Sequence, residues 1–576
     1  MLQLPWDVLA MVCEELERRQ DFGTLFNCSL TSKSLVYPAL SGLYKIQHES
    51  PITNEDNDAE YARVQLLPPQ AREDFRNRVK RKWALLWKSI VRSSLGATYL
   101  PYALYIKVLD LRNLVELLQD LWFRRIGFEF FFVDDMAKFL IHIDKLPPAK
   151  KTRTGGKKTA YTDADQQLIL NAVGESITSF VYDSAVKGGF EAALEDIAGD
   201  ISTVSLSRWA GKLSKLKSMT LWNGSALNSA VATSIASKCF GFNDLSFLYY
   251  IPGDDSMDSG DTRLASFFSS LRADSLESFG ALDAKQIGPE TILSLNHHSA
   301  SLKSLKLLEM DIQGLKNLNL LKGCDKLHSL ELTTARTASY VDLEATENDV
   351  FLEVIDWMGK CANLQDIHFA LLSGPAILTH VCMASGLRLR SITVTDCSLV
   401  NNQNFHKALS HQTSLEKLTL TADPEGAFGD DIEVLVSSIC QLKKLKELQL
   451  VNTSDFFSSH HITRLASNLL NLETFYFSGY DVGDQIWDAM AGLARLQSIY
   501  TFGVTSFTRE GILKFIDMLK PSNRGLVLAI LSQNPQYVMG EEDKLYIQER
   551  LAAKGGEKFE FVLYREEDVS GSDLSD

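Results

Sequence analysis

The sequence predicts an α/β solenoid: a parallel sheet of short strands, each returned by an outer helix, with a small helical unit ahead of it. Three observations predict it. One phrase, L-x-x-L-x-L with conservative replacements, recurs twelve times in the 576 residues. Most copies begin 24 to 31 residues apart. Between copies lie segments whose apolar residues recur at helical spacing.

The copies are "ITSFVY" at Ile177, "LKSMTL" at Leu216, "LSFLYY" at Leu245, "LESFGA" at Leu276, "LKSLKL" at Leu302 and "LHSLEL" at Leu327. "LQDIHF" at Leu364, "LRSITV" at Leu389, "LEKLTL" at Leu415, "LKELQL" at Leu445, "LETFYF" at Leu472 and "LQSIYT" at Leu496 complete them. Two intervals stretch to 37 and 39 residues. Phrase and period are those of a leucine-rich repeat. The intervening segments read as helices: Ile432, Leu435, Val436 and Ile439 share one face, and Thr346 with Asp349 forms a capping box ahead of another. One such unit cannot fold alone. Three buried leucine-type side chains contribute roughly 5 to 9 kcal/mol, against about 1 to 2 kcal/mol of backbone entropy for each of some 25 residues. Stacking supplies the missing burial, so the repeats form a horseshoe with a concave parallel sheet and outer helices.

The elements fall in order along the chain. Residues 1–50 hold three short helices, 51–71 read as a polar linker with a Pro68-Pro69 stop, and 72–147 as a helical region that caps the repeats. Within it, "YIKVLDL" from Tyr105 looks like a first repeat strand. A basic flexible loop, 148–166, precedes repeats over 167–535. After the last clear phrase, "GLVLAIL" (Gly525 to Leu531), a helix near Glu541 to Ala553 and "KFEFVLY" (Lys558 to Tyr564) look like irregular terminal elements, with a C-terminal cap over 536–566, and the polar tail 567–576 is expected to be disordered. Ser570, Ser572 and Ser575 lie there among acids and suit an acid-directed kinase.

Charge and cysteine usage narrow the function. Lys plus Arg number 58 against 73 Asp plus Glu, a formal charge of -15, which disfavours binding a phosphate backbone as the main role. Lys80, Arg81, Lys82, Lys88 and Arg92 form one basic cluster, and Lys150, Lys151, Arg153, Lys157 and Lys158 a second. The second reads as a solvated loop, with nuclear localisation as the other option. No apolar run reaches the ~18 residues of a membrane span, and Asp7, Glu14 and Glu15 interrupt the N-terminus where a signal peptide would be apolar. The eight cysteines contain no C-x-x-C pair, which reads as reduced, buried thiols in an intracellular protein.

The N-terminal stretch "LPWDVLAMVCEELERRQDFGTLFNCSLTSKSLVYPALSGLYK" supplies the partner. Pro5 suits a first helical turn, and Val8, Leu9, Val12 and Leu16 share a face. About forty residues cannot bury all of this surface internally, so an apolar patch is expected to remain for docking. The residues resemble an F-box: the Leu4-Pro5 opening, Val8, Leu9, Leu16, "SLTSKSL" from Ser29 to Leu35, and Leu43-Tyr44 where the family often has Leu-Trp. Trp6-Asp7 and Tyr44 depart from the commoner pattern. Further on, "WALLWKSIVRSSLG" and "YIKVLDLRNLVELL" look like F-box and leucine-rich repeat proteins of filamentous fungi. The resemblance implies a Skp-type adaptor and, through it, a cullin of an SCF-type ubiquitin ligase. It implies adaptor contacts at Leu4, Pro5, Val8, Leu9, Val12, Leu16, Leu30 and Leu35.

Catalytic signatures are missing. The pairs His297-His298 and His460-His461 lack an H-E-x-x-H context and read as surface residues near helix starts. There is no G-x-S-x-G elbow or glycine-rich dinucleotide turn, and Gly156-Lys157-Lys158 lacks the Ser or Thr of a P-loop. No metal, cofactor or enzyme activity is expected. Strand alternation instead assigns a binding surface. The positions flanking the last two leucines of each phrase face the concave side, placing Trp222, Phe247 and Tyr249 there near one end and Tyr476, Tyr500 and Phe502 near the other, with Ser304, Ser329, Thr393 and Thr419 between. Exposed aromatics of that kind anchor protein partners. Acidic insertions (Asp254, Asp255, Asp258, Asp261; Asp342, Glu344, Glu347, Asp349; Asp423, Glu425, Asp430, Asp431) are expected along one edge.

The combined expectation is a monomeric, non-catalytic substrate receptor within a hetero-complex, in cytoplasm or nucleus, holding a protein target without membrane or nucleic acid. A repeat scaffold without a ligase role and a GTPase activator of leucine-rich repeat type are the alternatives.

Overall fold

The computed structural model describes residues 5–49, 64, 68–140, 163–252, 259–335, 342–371, 373–397, 399, 402–422, 429–454 and 456–564. They divide into two compact units, Met1–Gln286 and Ile287–Asp576. Leu4, most of the two expected connecting stretches 51–71 and 148–166, and the tail 567–576 lie outside the described residues.

The first unit opens with three helices, α1 (Trp6–Arg18), α2 (Phe22–Thr31) and α3 (Lys33–Lys45), followed by α4 (Pro69–Ser94), α5 (Leu111–Gln119) and α6 (Asp163–Gly188). α1 starts directly after Pro5 with Asp7 in its first turn, where the macrodipole favours an acid. The Asp21 carboxylate caps α2 by accepting from Thr24 N–H at 2.9 Å. Five strands follow the same logic of short, inward-alternating apolar pairs: β1 (Val108–Asp110), β2 (Asp196–Gly199), β3 (Ser218–Asn223), β4 (Asp244–Tyr249) and β5 (Ser278–Ala281). Each pairs in parallel with the next. The "YIKVLDL" strand is therefore real, with Leu109 fully buried.

Two expectations need correction here. "ITSFVY" is no strand: Ile177 lies inside α6, where buried Leu170, Val173, Ile177 and Val181 follow the 3–4 residue spacing of one helix face. The strand of that repeat is β2, whose phrase is Leu194-x-x-Ile197-x-Gly199. The phrase at β4 is displaced by three residues, running Phe242-x-x-Leu245-x-Phe247, with all three side chains buried.

Among the described residues the second unit contains ten strands: β6 (Ser304–Met310), β7 (Ser329–Thr334), β8 (Asp366–Ala370), β9 (Ser391–Cys397), β10 (Lys417–Ala422), β11 (Glu447–Val451), β12 (Thr474–Gly483), β13 (Ser498–Ser506), β14 (Val527–Ser532) and β15 (Lys558–Leu563). All pair in parallel with their sequence neighbours. The elements read as an irregular cap thus continue the sheet as β14 and β15, joined by a helix over Glu541–Ala553. Register stacks the inward residues into continuous rows: Leu305, Leu330, Ile367, Ile392, Leu418 and Leu448 are all at most 1% exposed. Between β12 and β13 the backbones crowd so closely that a Cβ on Gly503 (φ +127°) would meet Gly479 O at 2.3 Å. Only glycine fits there.

Helix caps and cysteines serve this stack. The expected Thr346/Asp349 box does not form: Asp342 caps Leu343–Thr346, and the next helix begins at Asn348. Asp430 and Asp431 sit in the first turn of Gly429–Ile439, so part of the acidic edge consists of residues at helix starts. Asp254, Asp255, Asp258, Asp423 and Glu425 lie outside the described residues. Cys239 Sγ donates to Ala210 O and Leu213 O at 3.3 and 3.2 Å, satisfying turn carbonyls of the preceding repeat. Burial pushes the thiols of Cys239, Cys324, Cys361 and Cys382 up to about 12, which removes them from redox chemistry at neutral pH. Among the described residues no helix is long and apolar enough to cross a membrane.

Candidate functional site

Two surfaces carry apolar groups that the described residues leave uncovered. The first is on α1–α3. Cys13, Leu25, Pro38, Ala39 and Leu43 form the small interior of this bundle. Val8, Met11 and Val12, at i, i+3 and i+4 on α1, point out, as do Phe26 and Leu30 at i and i+4 on α2. Met11 and Leu30 are 66% and 69% exposed. Pro5 is exposed, and Leu9, Leu16 and Leu35 are half-buried, lying between the bundle interior and this outer face.

Other residues of the bundle fasten it to the rest of the unit. Tyr44, at the position where the family often has Trp, stacks on Tyr102 with ring centroids 4.8 Å apart, and its hydroxyl shares a 2.7 Å hydrogen bond with Ser89 of α4. Burial raises the Tyr44 phenol well above its ordinary value. Phe22 meets Trp83 of α4 edge-on at 6.1 Å. Gln47 Nε2 donates to Val108 O of β1 at 2.8 Å, and Asn113 Nδ2 of α5 donates to His48 O at 2.6 Å. Lys80, Lys88 and Arg92 are absorbed into packing of α4: Lys80 pairs with Asp120, Lys88 donates to Phe130 O, and Arg92 lies 3.6 Å from Asp135.

The second surface is the open side of the sheet. In the first unit Trp222 lies half-exposed on this face; Tyr249, also half-exposed, shares the inward parity of Leu245 and Phe247 at the end of β4 and so leaves the expected open-face set. Phe247 is not on this face: it is fully buried, 6.0 Å from the Phe279 ring, because the displaced phrase of β4 turns it inward. In the second unit one register row runs Lys306, Glu331, His368, Thr393, Thr419, Gln449, Tyr476, Tyr500, Ala529, Glu560. Its early part is polar. His368 Nδ1 and Lys306 Nζ each lie 2.9 Å from the Glu331 carboxylate, and their hydrogen bonds, His368 first, hold that carboxyl below its usual range. Lys417 and Glu447 pair at 2.8 Å.

Its later part is aromatic. Tyr476 and Tyr500 lie side by side at 6.0 Å, and Phe502 meets Tyr564 edge-on at 5.7 Å. The next open-face positions in register with Phe502 are Leu531 and Val562. Sequence reasoning missed these two because they sit past the last clear phrase.

The histidine pairs divide. His297 and His460 are exposed, whereas His298 and His461 are buried, contrary to the expectation for both. His461 accepts from Ser458 N–H at 3.1 Å and faces Glu433 at 3.0 Å, a capping role. Among the described residues no cluster of His, Cys, Asp or Glu is arranged to hold a metal.

No protein-family model and no curated protein matches the chain. Solved structures do. An internalin of Listeria monocytogenes shares 14% identity over 58% of this chain and 78% of its own, with a TM-score of 0.34. The structure of the Rad7 and Elc1 complex in yeast shares 15% identity over 65% and 84%, with a TM-score of 0.37. The plant peptide hormone receptor RGFR1, in complex with RGF2, shares 14% over 64% of this chain and about half (49%) of its own, with a TM-score of 0.31.

Proposed function

We propose that the chain is the substrate-recognition subunit of an SCF-type cullin ubiquitin ligase. The F-box-like helices α1–α3 engage a Skp-type adaptor, and the open face of the repeats holds a protein target. One observation carries this reading: the bundle presents Val8, Met11, Val12, Phe26 and Leu30 outward while Tyr44, Phe22, Gln47 and His48 fasten it to α4, α5 and β1. A cap meant only to close the repeats would turn its apolar residues toward them. The resemblance of "LPWDVLAMVCEEL" and "SLTSKSL" to the F-box names the adaptor class.

The function that follows is positional. The bundle docks on the adaptor and is fastened to the first repeat strand, so a target on the repeats is tethered to the adaptor. Its lysines then meet a ubiquitin-conjugating enzyme at high effective concentration. The chain supplies no chemical step of its own, and cytoplasm or nucleus is where such complexes would work. The test is direct reconstitution. Purified full chain should bind a Skp-type adaptor one to one, and Val12→Asp with Leu30→Asp should abolish binding while leaving the melting temperature unchanged. Equal affinity of that variant would defeat the reading.

A further inference from the structure

The last strand of the second unit presents a half-open edge. Lys558 N–H donates to Leu526 O (3.4 Å) and Tyr564 N–H to Ser532 O (2.8 Å). By the alternation of a parallel ladder, the N–H and C=O groups of Phe559, Phe561 and Leu563 therefore point away from β14. The helix over Glu541–Ala553 closes the first part of this edge. Its Gln548 carboxamide accepts from Phe559 N–H at 2.6 Å and donates to Glu557 O at 3.1 Å, as a further strand would. Among the described residues nothing does the same for Phe561 and Leu563.

The open face of that part is apolar: the row Phe502, Leu531, Val562 ends at the edge with Val562 41% exposed. The helix side is mixed, Phe561 lining a cleft of about 170 Å³ with Phe507, Tyr537, Val538 and Met539 and with the polar Thr508, Arg509, Gln536 and Asp543. Proteins usually blunt a free edge with charge. Here the charged pair Lys558 and Glu560 (2.9 Å) sits on the part that Gln548 already covers.

We propose that an extended segment of the recruited protein adds to β15 as one more strand. It pairs with the backbone of Phe561 and Leu563; its apolar residues, at alternate positions, lie beside Val562 on the open face, and the residues between them face the mixed cleft beside Phe561. The inference rests on the reading of the repeats as the surface that holds a protein target, and it specifies that target's chemistry. The chain's own residues 565–576 do not match it: Glu566, Glu567, Asp568, Asp573 and Asp576 outnumber the two apolar residues, Val569 and Leu574, which are not alternate.

The probe is a display library of random twelve-residue linear peptides, selected against the full chain. Enriched peptides should carry apolar residues at i and i+2 and should slow amide exchange at Phe561 and Leu563. Leu563→Pro, which deletes one outward N–H, should weaken their binding by about tenfold or more, and Leu563→Thr by about twofold or less. The exchange measurement on the unaltered chain stands even if Leu563→Pro fails to fold. Enriched peptides without alternation, or peptides that leave exchange at Phe561 and Leu563 unchanged, would overturn the proposal. Slow exchange in the free chain that is lost on deleting 565–576 would assign the edge to the tail, and slow exchange lost on dilution, with the mass halved, to a second copy; either result overturns it. A target that is released by Tyr476→Ala with Tyr500→Ala but is indifferent to Leu563→Pro would remove the edge while leaving the open-face reading intact.

Discussion

The outer face of α1–α3 and the open face of β12–β15 both expose large apolar groups, yet they rest on different foundations. Beneath the helices lies a thin interior of five or so small and medium side chains, Cys13, Leu25, Pro38, Ala39 and Leu43, steadied by Tyr44 and Phe22 against α4. Beneath the strands lies a full core in which Phe475, Phe477, Ile499 and Leu528 are completely buried. The contrast teaches that the outward residues of either surface are expendable for folding, but the margin differs: the strands would tolerate almost any outward substitution, the bundle only those that spare its few inward contacts.

Several substitutions would sharpen or break that contrast. The largest effect on stability belongs beneath the strands. Trp487, 1% exposed, stacks on Phe515 at 4.9 Å and lies 4.7 Å from Phe507, so Trp487→Ala should cost about 3 to 5 kcal/mol in denaturant unfolding. Above the same strands, Tyr476→Ala with Tyr500→Ala should weaken target binding about 10- to 100-fold in a pull-down titration while moving the melting temperature by ~1 °C or less. A parallel loss of folding would erase the distinction between the two sides of the sheet.

A pH titration reaches the core of the second unit. His406 is fully buried beside Asp431, and burial holds its imidazole down at about 4 even though Asp431 opposes the shift. The unfolded chain takes up a proton near pH 6.5 while the folded one does not until about 4. Stability from this group is thus complete above pH 6.5 and falls by about 1.4 kcal/mol per pH unit as pH drops toward 4. Denaturation curves at pH 7, 6 and 5 should show that slope, and His406→Leu should remove it. The smallest effect is at the polar part of the open face. Glu331→Gln breaks two partly exposed ion pairs and should change stability by less than ~1 kcal/mol.

How far the sequence disclosed this arrangement depended on period. Where leucines repeat at the strand's i and i+2 positions, as in "LHSLEL" or "LKELQL", strand, phase and outward residues all follow. The pattern misled where two periods coincide: the i, i+3 opening of the phrase also fits a helix, so "ITSFVY" imitated a repeat inside α6. It fell silent where other residues replace leucine, as in β2, which ends on Ala198 and Gly199. At β4 a run of six consecutive large or small candidates, "LSFLYY", left the phase open, and the wrong choice put Phe247 on the surface. The buried members of the histidine pairs and His406 were illegible for a different reason, since their burial depends on neighbouring repeats that no local pattern encodes. The exposed stripe on α1 was legible because a short helix with too little chain around it cannot hide one side.

The central claim is that the outward side of α1–α3 is a docking surface. Calorimetric titration of the full chain with a purified Skp-type adaptor tests it most directly, with a predicted dissociation constant at or below about 1 μM and a negative heat-capacity change from burying Met11, Val12, Phe26 and Leu30. Absence of binding by the intact chain, or binding that survives Val12→Asp with Leu30→Asp unchanged, would contradict it.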